Sequence, residues 1–215
     1  MAAKKLTIYS DFICPFCYIG KVNAERVQEM VPDLEIEWKE FELHPEGQPD
    51  PGSPYMKQAQ DSVNHLAEKY GIDMKPDVLT TVTSDSRIAM MGLHYAEEKG
   101  KSAEYRNAVF HAYWIEGHDI GNLDVLGGVV SSLGMDESEF LEALRQEKYL
   151  PAVLEEIEHA HKIGVQGVPT YEYEGEMTMG AQSPERLKRF VEAVDDLKQA
   201  KNSDDAAPAC GPEGC

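Results

Sequence analysis

The sequence predicts an α/β domain: a mixed four-stranded sheet with helices on its faces, interrupted by a large all-helical insertion. Three observations predict it. The chain opens as strand, helix, strand; about 110 residues with helical periodicity follow; two strands and a helix close it. Lys5–Tyr9 alternates briefly and carries β-branched and aromatic residues, as a strand does. Pro15 suits a first helical position, where its missing N–H costs nothing, and Ile19, Val22, Arg26, Val27 and Met30 continue a helical stripe to Val31-Pro32. Glu35–Phe41 sets Ile36, Trp38 and Phe41 among charges and forms the second strand. Strand, helix, strand at this spacing is a βαβ unit with parallel strands and a right-handed crossover.

Pro45, Pro49, Pro51 and Pro54 make His44–Pro54 a loop. Helices then follow in series. Pro54–Tyr70 ends at Gly71. Ser86 caps Arg87–Lys99, and Ser102 caps Ala103–Glu116, each before a glycine. Asn122 opens a helix ending near Gly134, Asp136 opens Glu137–Gln146, and Leu150–Lys162 precedes Gly164. Thr170–Tyr173 and Glu176–Met179 flank Glu174-Gly175, a hairpin signal. Ser183-Pro184-Glu185 starts the last helix, with Leu187, Phe190, Val191, Val194 and Leu197 on one face. This order is the thioredoxin plan. It predicts one domain over residues 1–200, an insertion at about 50–164, and a flexible tail over 201–215, where Asn, Ser, Asp, Ala and Pro dominate.

The 215 residues include 39 acidic and 20 basic ones, a formal net charge of −19. So large an acidic excess argues against nucleic acid and against anionic lipid as partners, because both demand Lys/Arg clusters. No apolar run approaches the ~20 residues of a bilayer span. The N-terminal Leu6-Thr7-Ile8-Tyr9 is too short for the apolar segment of a secretory signal. The expected compartment is therefore the cytosol, and the acidity reads as a solvated surface or as adaptation to a salty cytoplasm.

Four cysteines form two close pairs, Cys14/Cys17 and Cys210/Cys215. Four allow three pairings, and local pairs in a cytosolic chain point to redox chemistry or metal. Residues three apart at a helix start share a face, within reach of a disulfide. Cys14, at or near the N-cap, gains from the helix dipole as a thiolate, which suits a nucleophile; Cys17, inside the helix, suits the resolving thiol. Pro15 and Phe16 offer that thiolate neither charge nor a side-chain hydrogen bond, so a couple less oxidising than one with His between the cysteines is expected. The competing readings are two inert core thiols, or a zinc half-site completed by Cys210 and Cys215, since closed zinc sites need four ligands. The reading adopted expects no metal. Val168-Pro169 precedes a strand, and a proline there marks an ordinary edge, a turn or a cis bond. Facing Cys14, the free backbone groups of Val168 could pair with an extended substrate.

Ser10-Asp11-Phe12-Ile13-Cys14-Pro15-Phe16-Cys17-Tyr18-Ile19-Gly20 resembles the active-site segment of the DsbA-like branch of the thioredoxin superfamily. It is closer still to the FrnE-type oxidoreductases, which are akin to 2-hydroxychromene-2-carboxylate isomerases and kappa-class glutathione transferases. Phe41–Pro45, Ala112–Gly117, Gly164–Thr170 and Gly180-Ala181-Gln182 extend the likeness over nearly the whole chain before the tail. The resemblance implies a thioredoxin fold with a helical insertion, Cys14 as nucleophile, Cys17 as resolver and Pro169 in cis, with Pro15, Phe16, Val168 and Pro169 meeting substrate. The isomerase and transferase relatives typically carry Ser where this chain has Cys14, which favours redox chemistry here. The buried acid that DsbA-type proteins can carry in the first strand is replaced by Ile8, leaving Asp11, Glu40, Glu42 or water as candidates.

The expected function is thiol–disulfide exchange on protein or small-molecule thiols and disulfides, with an external dithiol donor or acceptor and no resident cofactor. The alternatives are a glutathione-dependent isomerase or transferase, with glutathione as co-substrate, and a metal-binding or redox-sensing protein using all four thiols. Cys210 and Cys215 are candidates for an accessory redox pair. His44, His111, His118, His159 and His161 read as surface or packing residues, and Met90-Met91 as core or as the wall of a substrate groove.

Overall fold

The computed structural model describes residues 4–205, with side chains to Ala200. β1 (Lys4–Ser10), α1 (Pro15–Met30) and β2 (Leu34–Glu40) form the βαβ unit, with β1 and β2 parallel over Lys4↔Leu34 to Ser10↔Glu40. β3 (Thr170–Tyr173) and β4 (Glu176–Met179) pair antiparallel with each other, and β3 runs antiparallel to β1 with Ile8 opposite Tyr171. The sheet order is β2-β1-β3-β4. Its hairpin turns through Glu174 and Gly175, both at positive φ (53° and 85°), which is why a glycine follows there.

Between β2 and β3 lie α2 (Pro54–Tyr70), α3 (Val78–Thr81), α4 (Ser86–Glu98), α5 (Ser102–His111), a wide π-helical turn (Ala112–Glu116), α6 (Leu123–Ser132), α7 (Glu137–Arg145) and α8 (Leu150–Lys162); α9 (Pro184–Asp205) closes the chain. The caps explain the boundaries. Ser53 Oγ, Asn122 Oδ1 and Asp136 Oδ1 accept first-turn N–H groups of α2, α6 and α7, and Gly71 closes α2 at φ 60°.

Four expectations are corrected. Asp85, not Ser86, caps α4: its Oδ1 accepts the Arg87 N–H at 3.0 Å, while Ser86 is the first helical residue and is buried. Ser102 likewise opens α5 rather than capping it. The expected Ala103–Glu116 helix is α-helical only to His111 and then widens, the Gly117 N–H reaching the Ala112 carbonyl five residues back. The boundary drawn at residue 200 cuts a helix, because α9 runs to Asp205. α3, a single turn after Pro76, was not expected.

Two apolar cores flank the sheet. Leu6, Ile8, Ala24, Val27, Leu34, Tyr171, Leu187 and Val191 pack α1 and α9 against one another and the strands. The second is larger and joins Cys14, Cys17 and Phe12 to the insertion through Phe110, Tyr113 and Trp114. Met90 and Met91 are buried in it. Arg26 ties the layers further, donating to the Tyr70 carbonyl at the end of α2 (2.8 Å). Among the described residues, no helix is long and apolar enough to cross a membrane.

Candidate active site

β1 ends at Ser10, and the chain turns through Asp11-Phe12-Ile13 to reach the N-cap of α1 at Cys14. Cys14 has extended backbone (φ −83°, ψ 116°), and its carbonyl accepts the Cys17 N–H at 3.0 Å, starting the helical ladder. Its thiol makes no cap bond to the first turn. It points instead to the Val168 carbonyl at 3.5 Å. The Val168–Pro169 peptide is cis, and the Pro169 carbonyl is taken by the Gly180 N–H at 2.8 Å. The cysteines are free thiols, with Cys14 2% and Cys17 0% exposed. Burial pushes the Cys17 thiol well above its ordinary range, and its hydrogen bond with Cys14 adds to this; the Asp11 backbone and Ser10 hydroxyl oppose it. Two sulfurs so placed can close a disulfide with little movement of the helix start, giving two electrons to an acceptor.

Asp11 holds the turn. Its Oδ2 accepts the Leu43 N–H at 2.7 Å, its Oδ1 accepts the Ile13 N–H at 3.2 Å, and its backbone carbonyl accepts the Cys14 N–H. The carboxyl is fully buried, and burial raises it to about 6 in spite of hydrogen bonds from Leu43, Ser86 and Ile13. A raised acid favours the folded state at low pH and burdens it as the proton leaves. Relative to Asp11→Asn, the wild-type chain is expected to lose roughly 2–3 kcal/mol of unfolding free energy as pH rises from about 4 to 6. Paired urea titrations across that window check this; parallel curves would remove the assigned burden.

The other two acids lie elsewhere. Glu42 accepts from Arg87 Nη2 (2.6 Å) and Nε (3.1 Å). Glu40, pushed to about 7 by burial, pairs with His94 Nε2 at 3.0 Å. Among the described residues, neither thiol is hydrogen-bonded to a carboxylate.

Behind the cysteines, Tyr171 is fully buried, and its hydroxyl has no hydrogen-bond partner at full geometry among the described residues. Gly20 makes room for it: a Cβ there would stand 2.5 Å from the Tyr171 oxygen and 3.2 Å from Pro169 Cγ. Gly20→Ala is therefore expected to cost about 1–3 kcal/mol by overpacking and to lower turnover by displacing Pro169 from Cys14. Denaturation and turnover measured together test it; unchanged values in both would show that the ring yields freely.

The structure thus brings together Cys14, Cys17, Pro15, Val168 and Pro169; Phe16 is half-buried beside them. Cys210 and Cys215 lie outside the described residues. The five histidines singled out from the sequence do not gather. His111 and His118 pair with Glu116, and His161 meets the edge of Phe41. Sequence reasoning missed Ser10, Gly20 and Tyr171 as neighbours of the thiols. The close approach of a glycine to a strand tyrosine leaves no local signal beyond the glycine itself.

Residues 5–192 match the pattern of the DsbA-like thioredoxin domain. The chain belongs to the DsbA-like thioredoxin domain family. Within the curated relatives of this DsbA-like chain is YwbO of Bacillus subtilis, 34% identical over 174 residues, 77% of this chain and 84% of that one. The 2-hydroxychromene-2-carboxylate isomerase of Pseudomonas putida is 28% identical over 80% of this chain and 86% of its own. In fold, the chain is similar to a probable DsbA oxidoreductase of Streptomyces coelicolor, with TM-score 0.73 and 23% identity over 99% of this chain and 98% of that one.

Proposed function

We propose that this DsbA-like protein exchanges disulfides through Cys14 and Cys17. The observation that carries the reading is the placement of Cys14. Its sulfur stands at the start of α1 without a capping bond, in contact with Cys17, and facing the Val168 carbonyl.

Cys14 gives its proton to solvent, releasing its hydrogen bond to Val168, and its thiolate attacks one sulfur of a substrate disulfide. A mixed disulfide forms and the first substrate thiolate leaves. Cys17 then loses its proton to solvent and attacks the Cys14 sulfur. The second substrate thiolate departs, and two electrons have passed to substrate while Cys14–Cys17 becomes a disulfide. An external dithiol returns the pair to its starting state, and the sequence run backwards oxidises a substrate dithiol. The Val168 carbonyl, freed when Cys14 loses its proton, can take a strand-like substrate backbone. Exchange of this kind calls on no resident cofactor.

Dithiol-driven reduction of insulin tests the reading against the isomerase that the Pseudomonas putida relative brings to mind. Catalysed reduction dependent on Cys14 supports exchange. Tight glutathione binding, with isomerisation of an aromatic substrate that survives Cys14→Ser, would replace it with the isomerase reading.

A further inference from the structure

We propose that Glu40, His94 and Glu156 form a binding site for one divalent first-row transition cation, joining the sheet edge to the helical insertion. Glu40 is the last residue of β2, an edge strand; His94 is in α4 and Glu156 in α8. One ligand atom from each lies within 4.8 Å of the others. Glu40 Oε2 and His94 Nε2 are 3.0 Å apart. Two ligands at right angles on an octahedral cation with bonds of about 2.1 Å are themselves about 3.0 Å apart, so this hydrogen-bonded pair needs little rearrangement to take a cation.

The grouping is more than a set of surface acids. The Glu40 side chain is 5% exposed, and its Oε1 has no hydrogen-bond partner among the described residues. A buried carboxylate oxygen left unpaired costs free energy that a bound cation would recover. Glu40, His94 and Glu156 line a cavity of about 300 Å³, large enough for a cation and its waters. Its walls carry the carboxyl groups of Glu37, Glu40, Glu97 and Glu156 against Lys39 and Arg106, an acidic lining that suits a cation.

The remaining bonds are compatible with this. Glu156 Oε2 accepts the Glu40 N–H at 3.0 Å, which fixes the carboxylate beside β2. Its Oε1 takes the Lys39 ammonium at 2.7 Å. Lys39 also lies 3.9 Å from Glu37 and is about one-third exposed, so it can swing aside to that partner. One imidazole and two carboxylates, with room for water, suit Mn²⁺, Fe²⁺ or Zn²⁺; the ring nitrogen disfavours Ca²⁺ and Mg²⁺.

Mn²⁺ is the probe of choice, because carboxylate and imidazole hold it whereas the cysteine thiolates would compete for Zn²⁺. Titration of the full chain, read by the loss of the free Mn²⁺ resonance signal, is expected to show one ion per chain and a raised thermal midpoint. Glu40→Gln and His94→Gln should each weaken binding by at least about tenfold. The partly exposed His94 variant decides the matter if the buried Glu40 variant does not fold. Binding no tighter than millimolar, or affinity unchanged in His94→Gln, would overturn the proposal.

Discussion

Cys14→Ser is expected to lower disulfide-exchange turnover by more than about a thousandfold, the scale seen when a nucleophile is removed. Cys17→Ser should behave differently. Cys14 keeps its place at the start of α1, so the first attack proceeds. Without Cys17 the mixed disulfide has no internal resolving thiol among the described residues. A stoichiometric adduct on Cys14 should therefore accumulate, visible by mass spectrometry after mixing with a disulfide substrate. Raising pH should speed release in the wild-type protein, because burial holds the Cys17 proton to high pH. The mechanism fails if Cys14→Ser keeps its turnover, or if Cys17→Ser collects no adduct on Cys14.

Trp114→Ala should have the largest effect on stability. The side chain is fully buried, its Nε1–H donates to the Phe12 carbonyl at 2.9 Å, and its ring meets Tyr113 edge-on at 4.9 Å and Tyr18 at 6.4 Å. Removing it opens a cavity and orphans the Phe12 carbonyl, for a loss of about 3–5 kcal/mol in urea unfolding. Trp114→Phe keeps much of the volume but forfeits the N–H, so its cost should fall nearer 1–3 kcal/mol. Phe12 lies two residues before Cys14, so both variants should also slow alkylation of Cys14. A loss below about 1 kcal/mol in Trp114→Ala would mean that the neighbouring rings close the gap.

The legible part of the fold is what short stretches encode. The hairpin around Glu174-Gly175 and the limits of α2 and α8 follow from turn residues, caps and terminal glycines. The CPFC segment announces the dithiol because a helix start and a three-residue spacing are both local. The widened turn at Ala112–Glu116 is invisible to a helical stripe, because the helix ends at Gly117 before a shifted apolar pattern can show. Asp85 and Ser86 are both good cap residues, and packing of Ser86 decides between them. His94 and Glu40 are 54 positions apart and Glu156 lies 116 beyond Glu40, so only closure of the insertion onto β2 unites them. Glu40 stood out as an acid near the first strands, but nothing in the sequence joined it to a histidine.

Cys14 occupies the position where helices ask for Ser, Thr, Asp or Asn, and it leaves the first turn without a side-chain cap. Selection for a sturdier domain alone would place Ser there, where a cap is worth about 0.5–2 kcal/mol. The exchange of one sulfur for one oxygen thus strengthens the helix while removing the nucleophile. Durability and reactivity compete at a single atom. A lineage of this fold can abandon redox chemistry in one substitution and keep its architecture, whereas the return path must accept a weaker helix before any activity appears.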